Sequence, residues 1–306
     1  MRRSVTQAVE DYSYALAEKS PTTQRWYLEK LTHFSTWCAG QGIDLAALTP
    51  TDIRRYMTHL RTTRNRYGRA LSTYTLHGYA ETIKVFLNWC IRENDAYGVT
   101  EHLVRRIELP RIDQKVIEVF TREQMQAMLK ATFREESRQL VFRDQAMLRL
   151  LASTGIRAGE LCGITLEDVE MDPFDGYVRV FGKGRKEREV PLGRETRVSL
   201  NRYLSQYRRA HREERHVFLT RNSTPYTTHA LDVTIKRLGK WAGVSGVRVS
   251  AHTFRHTFAV EFLGKTGDLY RLSRLMGHGS VRVTEMYLRA VKARDARKGV
   301  SVFDDL

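Results

Sequence analysis

The chain has 306 residues, and its 51 Lys and Arg against 35 Asp and Glu give a formal net charge of +16 and an isoelectric point near 9.9. A hydrophobic content of 42% excludes an intrinsically disordered chain, and the excess of positive charge favours a polyanionic partner such as nucleic acid over a merely basic soluble protein. The sequence contains no run of 18 apolar residues, no Lys-rich amphipathic anchor for an anionic membrane surface, and no apolar segment after Arg3 that would act as a secretory signal.

The first hundred residues show helical periodicity and no strand-like alternation. Three helices are predicted: one that begins at Ser20-Pro21, one that begins near Thr49-Pro50, and one that runs from about Ser72 to Cys90. Apolar residues recur at helical spacing along all three, which predicts a helical core. These residues are Trp26, Leu28, Leu31, Phe34, Trp37, Ile53, Met57, Leu60, Leu76, Tyr79, Ile83, Phe86 and Leu87.

A basic loop, residues 61–70 with the sequence RTTRNRYGRA, lies between the second and third predicted helices. Arg61, Arg64, Arg66 and Arg69 are crowded into this loop around Tyr67. Because like charges repel, such crowding favours a surface that faces phosphates, although a solvated charged loop is the alternative interpretation.

Residues 108–116 are polar, contain Pro110 and form the predicted linker, which divides the chain into an N-terminal domain (1–107) and a C-terminal domain (117–306). A capping box from Thr121 to Gln124 begins the first helix after the linker. Residues 177–192 are rich in β-formers and predict two strands around a Gly-Lys-Gly turn. Further helices are predicted at 139–152, 195–212, 228–242, 252–264, 268–276 and 280–290. The expected fold class is therefore mainly α with a small antiparallel β-sheet.

Four short motifs in the second half contain the residues that indicate a chemistry. They are LASTGIRAGEL (151–161), FGKGRKEREVPL (181–192), AHTFRHTFA (251–259), and LMGHGS (275–280) followed by Tyr287. In this order and spacing they resemble the motifs of the tyrosine recombinase, or phage integrase, family, and most closely its short Xer-like members. The helical first half is similar to the core-binding domain of that family, so the resemblance covers essentially the whole chain.

The resemblance implies a catalytic set consisting of Arg157, Lys183, His252, Arg255, His278 and Tyr287. Arginine suits the two guanidinium positions because its planar fork bonds two phosphate oxygens at once and stays charged while the transition state gains negative charge. In the family, a tyrosine attacks phosphorus and forms a 3′-phosphotyrosine bond, which assigns that role to Tyr287. Tyr270, which precedes the Gly-His-Gly-Ser segment, is the competing tyrosine.

The remaining residues of the set have roles in proton transfer and phosphate binding. Lys183 is expected to protonate the 5′-oxygen leaving group, with Lys186 as the alternative. His252 is expected to accept or share the tyrosine proton or to hold the phosphate, and His278 to bond a non-bridging oxygen. Glu160 is either an ordinary helix residue or one that orients a basic side chain of the site.

Neither a metal nor a cofactor is expected. His252 and His256 stand four residues apart and could face one metal ion, but the segment lacks the glutamate of a zinc-protease helix and carries Arg255 between the histidines. No Walker A phosphate-binding loop is present in the sequence. His256 is therefore expected to pack in the site or to support one of its functional residues, rather than to bind a metal.

The function that these expectations support is site-specific recombination of duplex DNA, in dimer resolution, integration or excision at a mobile element. The resemblance implies a tetramer on two DNA sites, with a second recombinase or an accessory protein as a further partner, and a C-terminal tail (291–306) that docks on a neighbouring subunit. Relaxation of DNA by a type IB topoisomerase-like enzyme and DNA binding without catalysis are the alternatives. Three widely spaced cysteines without a C-x-x-C motif favour a reducing cytoplasm.

Overall fold

The computed structural model describes residues 4–65, 67–93, 97–112, 117–182, 186–209 and 213–297, with the backbone alone for residues 293–297. Lys183 and the tail from residue 298 onward therefore lie outside the described residues. The chain divides into two compact units, Met1–Lys115 and Val116–Leu306. No helix in the described part of the chain is long and apolar enough to span a membrane.

The first unit consists of helices, each of which begins at a residue that can cap it. They are α1 (Val5–Ala15), α2 (Pro21–Gly40), α3 (Pro50–Thr62), α4 (Thr73–Arg92) and α5 (Glu101–Arg105). The hydroxyl groups of Ser20, Thr49 and Ser72 accept hydrogen bonds from backbone N–H groups three residues later, which confirms the three predicted helix starts.

The apolar residues predicted along α2, α3 and α4 form the core of the first unit. Leu31, Phe34 and Leu60 are completely buried, as are Ile83 and Phe86. Cys38 and Cys90 lie in the same core as free thiols. Trp26 departs from the predicted stripe, because its ring lies at the surface over the Lys30 ammonium, 3.8 Å away.

The described residues of the basic loop after α3 make the hydrogen bonds of a turn. The Asn65 side-chain oxygen accepts hydrogen bonds from the backbone N–H groups of Tyr67 and Arg69, and Arg64 and Ala70 form an antiparallel bridge. Gly68 adopts a left-handed conformation, with φ of +72°, that favours glycine. The turn presents an exposed Tyr67 ring among arginines.

The second unit combines helices with one small sheet. Its elements are α6 (Arg122–Ala131), α7 (Arg138–Thr154), α8 (Ala158–Gly163), β1 (Val169–Glu170), β2 (Tyr177–Phe181), β3 (Glu187–Pro191), α9 (Arg194–Arg202), α10 (Thr228–Trp241), α11 (Ala251–Thr266), α12 (Leu269–Met276) and α13 (Glu285–Arg297). The strands are antiparallel in the order β1-β2-β3, with Val178 opposite Val190. This confirms the predicted fold class.

Two predicted helices end differently in the structure. In place of the helix expected at 195–212, the structure has α9 followed by one wide helical turn at Tyr203–Tyr207. The Arg208 guanidinium, directly after this turn, donates hydrogen bonds to the carbonyl oxygens of Glu214 and His216. The helix expected at 280–290 is a short turn, Val281–Val283, followed by α13. Helix α11 packs against both α7 and α13. Helix α8 and strand β1 are additional elements that the periodicity did not indicate.

Candidate active site

Helix α11 brings three polar side chains to one face. Ser250 caps the helix by accepting a hydrogen bond from the Thr253 N–H, which sets where the helix begins. His252, Arg255 and His256 then share a face because residues three and four positions apart are neighbours on a helix. The rings of His252 and His256 lie 4.1 Å apart in an edge-to-face arrangement.

Arg255 is buried and held by backbone carbonyl groups. Its guanidinium donates to the carbonyl oxygens of Gly155 and Met276, each at 2.7 Å, and to Nε2 of His278 at 3.0 Å. Burial, followed by the positive charge of Arg157, lowers the pKa of Arg255 to about 10, so this side chain remains cationic at neutral pH. The two carbonyl groups therefore fix a charged fork in one orientation.

Arg157 lies beside Arg255 but is more open to solvent. Its Nη2 atom donates to the carbonyl oxygen of Gly277, the residue after Met276, at 3.1 Å. Its Nη1 atom donates to the Glu160 carboxylate at 2.8 Å, and its backbone N–H bonds the other oxygen of the same carboxylate. With 41% of its side chain exposed, Arg157 is the more accessible of the two guanidinium groups.

Glu160 also receives two hydrogen bonds from Arg188, at 2.9 and 2.7 Å. Burial alone would raise the pKa of Glu160, but the hydrogen bonds and charges of Arg188 and Arg157 outweigh burial and lower this pKa to about 2. Glu160 is therefore an anion that joins two arginines. This geometry agrees with the prediction that it orients a basic side chain.

Arg188 is a residue of the site that the sequence did not single out. From strand β3 its Nε atom donates to the carbonyl oxygen of Leu275 at 2.8 Å, so that one guanidinium joins the sheet, Glu160 and the end of α12. Gly277 must lack a side chain here, because a Cβ atom would lie 2.8 Å from Arg188. Arg188 lies at the end of the GKGRKER segment (182–188), but a charged residue in a hairpin is normally exposed, so the sequence did not predict its role.

His278 follows the left-handed Gly277 that ends α12. A guanidinium can only donate, so Nε2 of His278 must accept from Arg255, and Nδ1 then carries the proton and donates to the Thr284 hydroxyl at 2.8 Å. Burial and the nearby charges of Arg255 and Arg157 lower the pKa of His278 to about 4. The imidazole is therefore neutral at pH 7.

Tyr287, near the start of α13, is 2% exposed and lies against these groups. Its hydroxyl group is 3.0 Å from Nδ1 of His256, and its ring is nearly parallel to that of His278, with the ring centres 6.5 Å apart. Burial raises the pKa of Tyr287, and the positive charges of Arg255 and Arg157 oppose that rise. The competing Tyr270, on α12, is 65% exposed.

The structure thus gathers Arg157, Arg255, His278, Tyr287 and His252 around one end of α11, and adds His256. Partial desolvation of the ring, followed by the charges of Arg255 and Arg248, lowers the pKa of His252. The sixth predicted residue, Lys183, lies outside the described residues. Among the residues that are described, no cluster of three or more His, Cys, Asp or Glu could hold a metal ion.

Such an arrangement can bind and activate a phosphodiester. Two guanidinium groups with fixed orientations offer donors to the non-bridging oxygens of a phosphate. A tyrosine hydroxyl in contact with a neutral imidazole has beside it the proton acceptor that a tyrosine nucleophile would require. The observed set therefore has the kinds of group that a transesterification site needs.

Comparison with known proteins assigns both units to one family. Residues 118–294 match the phage integrase family, and residues 9–94 match the phage integrase N-terminal SAM-like domain. The chain is 30% identical to tyrosine recombinase XerD of Chlorobaculum tepidum over 272 residues, which cover 88% of this chain and 86% of the relative. It is also 30% identical to XerD of Pseudomonas aeruginosa over 275 residues, which cover 89% and 88% of the two chains.

Solved structures show the same fold at lower identity. The XerH site-specific recombinase, in a post-cleavage complex with palindromic difH substrate, has a TM-score of 0.77 and 19% identity, with 96% of this chain and 84% of that chain covered. A lambda integrase tetramer bound to a Holliday junction has a TM-score of 0.69 and 17% identity, with 91% and 78% covered.

Proposed function

Since this chain belongs to the phage integrase family and is a site-specific tyrosine recombinase, we propose that it breaks and rejoins double-stranded DNA through a covalent bond between Tyr287 and a 3′-phosphate. The observation that carries the proposal is that buried Tyr287 lies within the influence of the Arg255 and Arg157 charges, with its ring parallel to that of His278. The reaction exchanges one phosphoester for another and requires no nucleotide cofactor. Dimer resolution, integration and excision are all reactions of this type.

In the proposed step, Tyr287 Oη attacks phosphorus, an O–P bond forms, and the bond from phosphorus to the 5′-oxygen breaks. Arg157 and Arg255 bind the non-bridging oxygens as these gain negative charge, and His252 faces the same phosphate. His278 is held by Arg255 and Thr284, which fixes its ring at the edge of the site. Removal of one such electrostatic group is expected to slow the reaction by about 100- to 1000-fold.

Lys183 supplies the proton that the departing 5′-oxygen requires. The basis for this assignment is its motif, because Gly182 and Gly184 flank the lysine in the segment between β2 and β3. A flanking glycine allows the backbone to come close to a DNA strand. Lys186, in the same segment, is the alternative donor.

Double-stranded DNA is the proposed partner, and a tetramer on two sites is the proposed assembly. The net charge of +16 and the exposed side chains of Arg61, Arg64 and Arg69 support binding to phosphates. Among the similar structures, XerH is bound to difH substrate, and lambda integrase forms a tetramer bound to a Holliday junction. We extend both properties to this chain and include a second recombinase or an accessory protein as further partners.

The test is a covalent-trapping assay. The protein is incubated, with EDTA present, with DNA from its own genetic neighbourhood that carries a nick near the cleavage point, and adducts are resolved on a denaturing gel. The wild type and Tyr270→Phe are expected to form an adduct, and Tyr287→Phe is expected to form none while it binds the same DNA. Tyr270→Phe is the matched control, because that ring is exposed on α12.

Each contrary result identifies a different error. An adduct that persists in Tyr287→Phe shows that another residue is the nucleophile. DNA binding without an adduct in the wild type favours a non-catalytic DNA-binding protein. An adduct accompanied by relaxation of supercoiled DNA that lacks paired sites favours a topoisomerase-like enzyme.

A further inference from the structure

His256 contacts the proposed nucleophile, whereas the sequence indicated a packing or supporting role for this residue. Its Nδ1 atom lies 3.0 Å from Tyr287 Oη, with the two ring centres 5.5 Å apart. Within the described part of the chain, this is the hydrogen bond that the Tyr287 hydroxyl group makes. We infer that His256, and not His252, is the catalytic residue that takes the proton from Tyr287 during attack on the phosphate. This inference rests on the proposed function and names a further catalytic residue for it.

The direction of the hydrogen bond follows from the protonation states. A buried phenol hydroxyl requires an acceptor, and the acceptor that the described residues provide is Nδ1 of His256. Burial, followed by the charges of His252 and Arg255, lowers the pKa of His256 to about 4, so its ring is neutral and can accept a proton. Tyr287 therefore donates, and His256 carries its own proton on Nε2.

The surroundings of His256 explain how its basicity would change with substrate. The ionisable groups around it are His252 and Arg255 on its own helix, Tyr287 on α13, His278 beyond α12, and Arg157 before α8. Arg255 disfavours a positive charge on the ring of His256. A bound DNA phosphate would offset the charge of Arg255 and make His256 a stronger base only when substrate is present.

The proton balance is complete in both directions. During cleavage the proton of Tyr287 Oη moves to His256 Nδ1, while the 5′-oxygen takes a proton from Lys183. During rejoining a 5′-hydroxyl group attacks the phosphorus of the phosphotyrosine and gives its proton back to Lys183. The bond from phosphorus to Tyr287 Oη breaks, and the protonated His256 returns its proton to the departing tyrosine oxygen. His256 thus acts as base in one half-reaction and as acid in the other.

The test compares His256→Ala and His256→Asn with wild type in single-turnover cleavage of the nicked DNA across a range of pH. General base catalysis of this kind contributes about 100-fold or more, so both variants are expected to be slower by that factor at pH 7. The asparagine keeps a hydrogen-bond acceptor near the position of Nδ1 but cannot take up a proton. His229→Ala, which removes an exposed histidine on α10, is the matched control and is expected to retain the wild-type rate.

A second measurement separates proton transfer from a structural effect. Tyr287 is replaced by a fluorinated tyrosine, whose phenol loses its proton more readily and needs less help from a base. Fluorination is expected to restore most of the lost rate in both His256 variants and to change the wild-type rate little. A variant that is merely misfolded would gain nothing from a more acidic phenol, and DNA binding checks the fold independently.

Three results would overturn the inference. A wild-type rate in His256→Asn would show that His256 only positions the tyrosine. A faster rate in His256→Ala would show that the hydrogen bond restrains the nucleophile. A slow variant that fluorination does not rescue would exclude proton transfer. Absence of any wild-type adduct would overturn the proposed function itself, which distinguishes the two failures.

Discussion

Replacement of Glu160 by glutamine tests whether this buried carboxylate holds the guanidinium groups of the site. The Glu160 side chain is 4% exposed and accepts four hydrogen bonds, two from Arg188 and two from Arg157. Glutamine has nearly the same shape but offers one oxygen and an NH₂ group. That NH₂ group would face a donor of one arginine, and the negative charge between the two cations would be lost.

The magnitude follows from the pKa of Glu160, which folding lowers from 4.5 to about 2. This lowering of the pKa corresponds to about 3 kcal/mol, since a tenfold change in an equilibrium constant is about 1.4 kcal/mol. Glu160→Gln is therefore expected to destabilise the second unit by about 3 kcal/mol at pH 7, close to the roughly 3–5 kcal/mol for breaking a buried pair. Because the folded pKa is depressed, this stabilisation is present above pH 4.5 and is lost as the pH falls towards 2.

The assay is urea unfolding at several pH values, with hydrogen exchange of peptides from residues 117–297 to identify the unit that unfolds. Glu167→Gln is the control, because the Glu167 carboxylate is paired with Arg215 at the surface and both side chains are more than half exposed. We expect no measurable change from the control. Equal stability losses in the two variants, or a Glu160→Gln difference that persists unchanged at low pH, would refute the reasoning.

Three further predictions concern the charged groups. Because folding lowers the pKa of His278 from 6.5 to about 4, the neutral ring contributes stability that is lost as the pH falls from 6.5 towards 4, and His278→Gln should flatten this dependence in urea titrations. Arg255→Lys should reduce adduct formation by about 100-fold or more without loss of DNA binding in gel-shift assays, because lysine cannot span the same acceptors. Arg64→Gln and Arg69→Gln should each lower the salt slope of DNA binding by about one, whereas an unchanged slope would indicate a merely solvated loop.

The helices of the first unit could be predicted because their signals are local. Ser20, Thr49 and Ser72 each begin a helix with a side-chain cap, and the apolar residues that follow are spaced for one buried face. The short elements of the second unit have no comparable periodicity in the sequence. Helix α8 has six residues, and strand β1 has two, so neither is long enough to show a period.

The break between the turn at Val281–Val283 and α13 could not be predicted from the sequence either. Thr284 is completely buried there and bonds His278, an interaction that exists only after the site has assembled. The end of α9 has a similar cause, because Arg208 satisfies carbonyl groups of a later segment. Tertiary contacts of this kind override a helical pattern that would otherwise continue.

The motifs located the candidate site residues, but not the contacts among them. Arg188 and His256 lie within the motifs, but their contacts could not be predicted, since an arginine in a hairpin and a histidine on a helix usually have no special role. Their importance appears only when β3 lies beside Glu160 and α13 lies beside α11. Sequence spacing identifies which residues can share a face, whereas hydrogen-bond partners between distant segments depend on packing.

The two arginines of the site are held by the ends of helices, which connects the fold to the proposed chemistry. Gly155 ends α7 and Gly277 ends α12, both in the left-handed conformation, and the carbonyl groups at these ends accept from Arg255 and Arg157. The C-terminal ends of helices carry partial negative charge and unpaired carbonyl groups, so cations are stabilised there.

The same bonds leave part of each guanidinium group free for substrate. Arg255 has five N–H groups, and the contacts within the described residues occupy three of them. A phosphate can therefore bind the remaining donors without displacing the carbonyl groups that fix the orientation. The carbonyl groups of Met276 and Gly277 orient Arg255 and Arg157, and Arg188 bonds the same end of α12 at Leu275. Disruption of α12 should therefore reduce both the stability of the second unit and the rate of DNA cleavage.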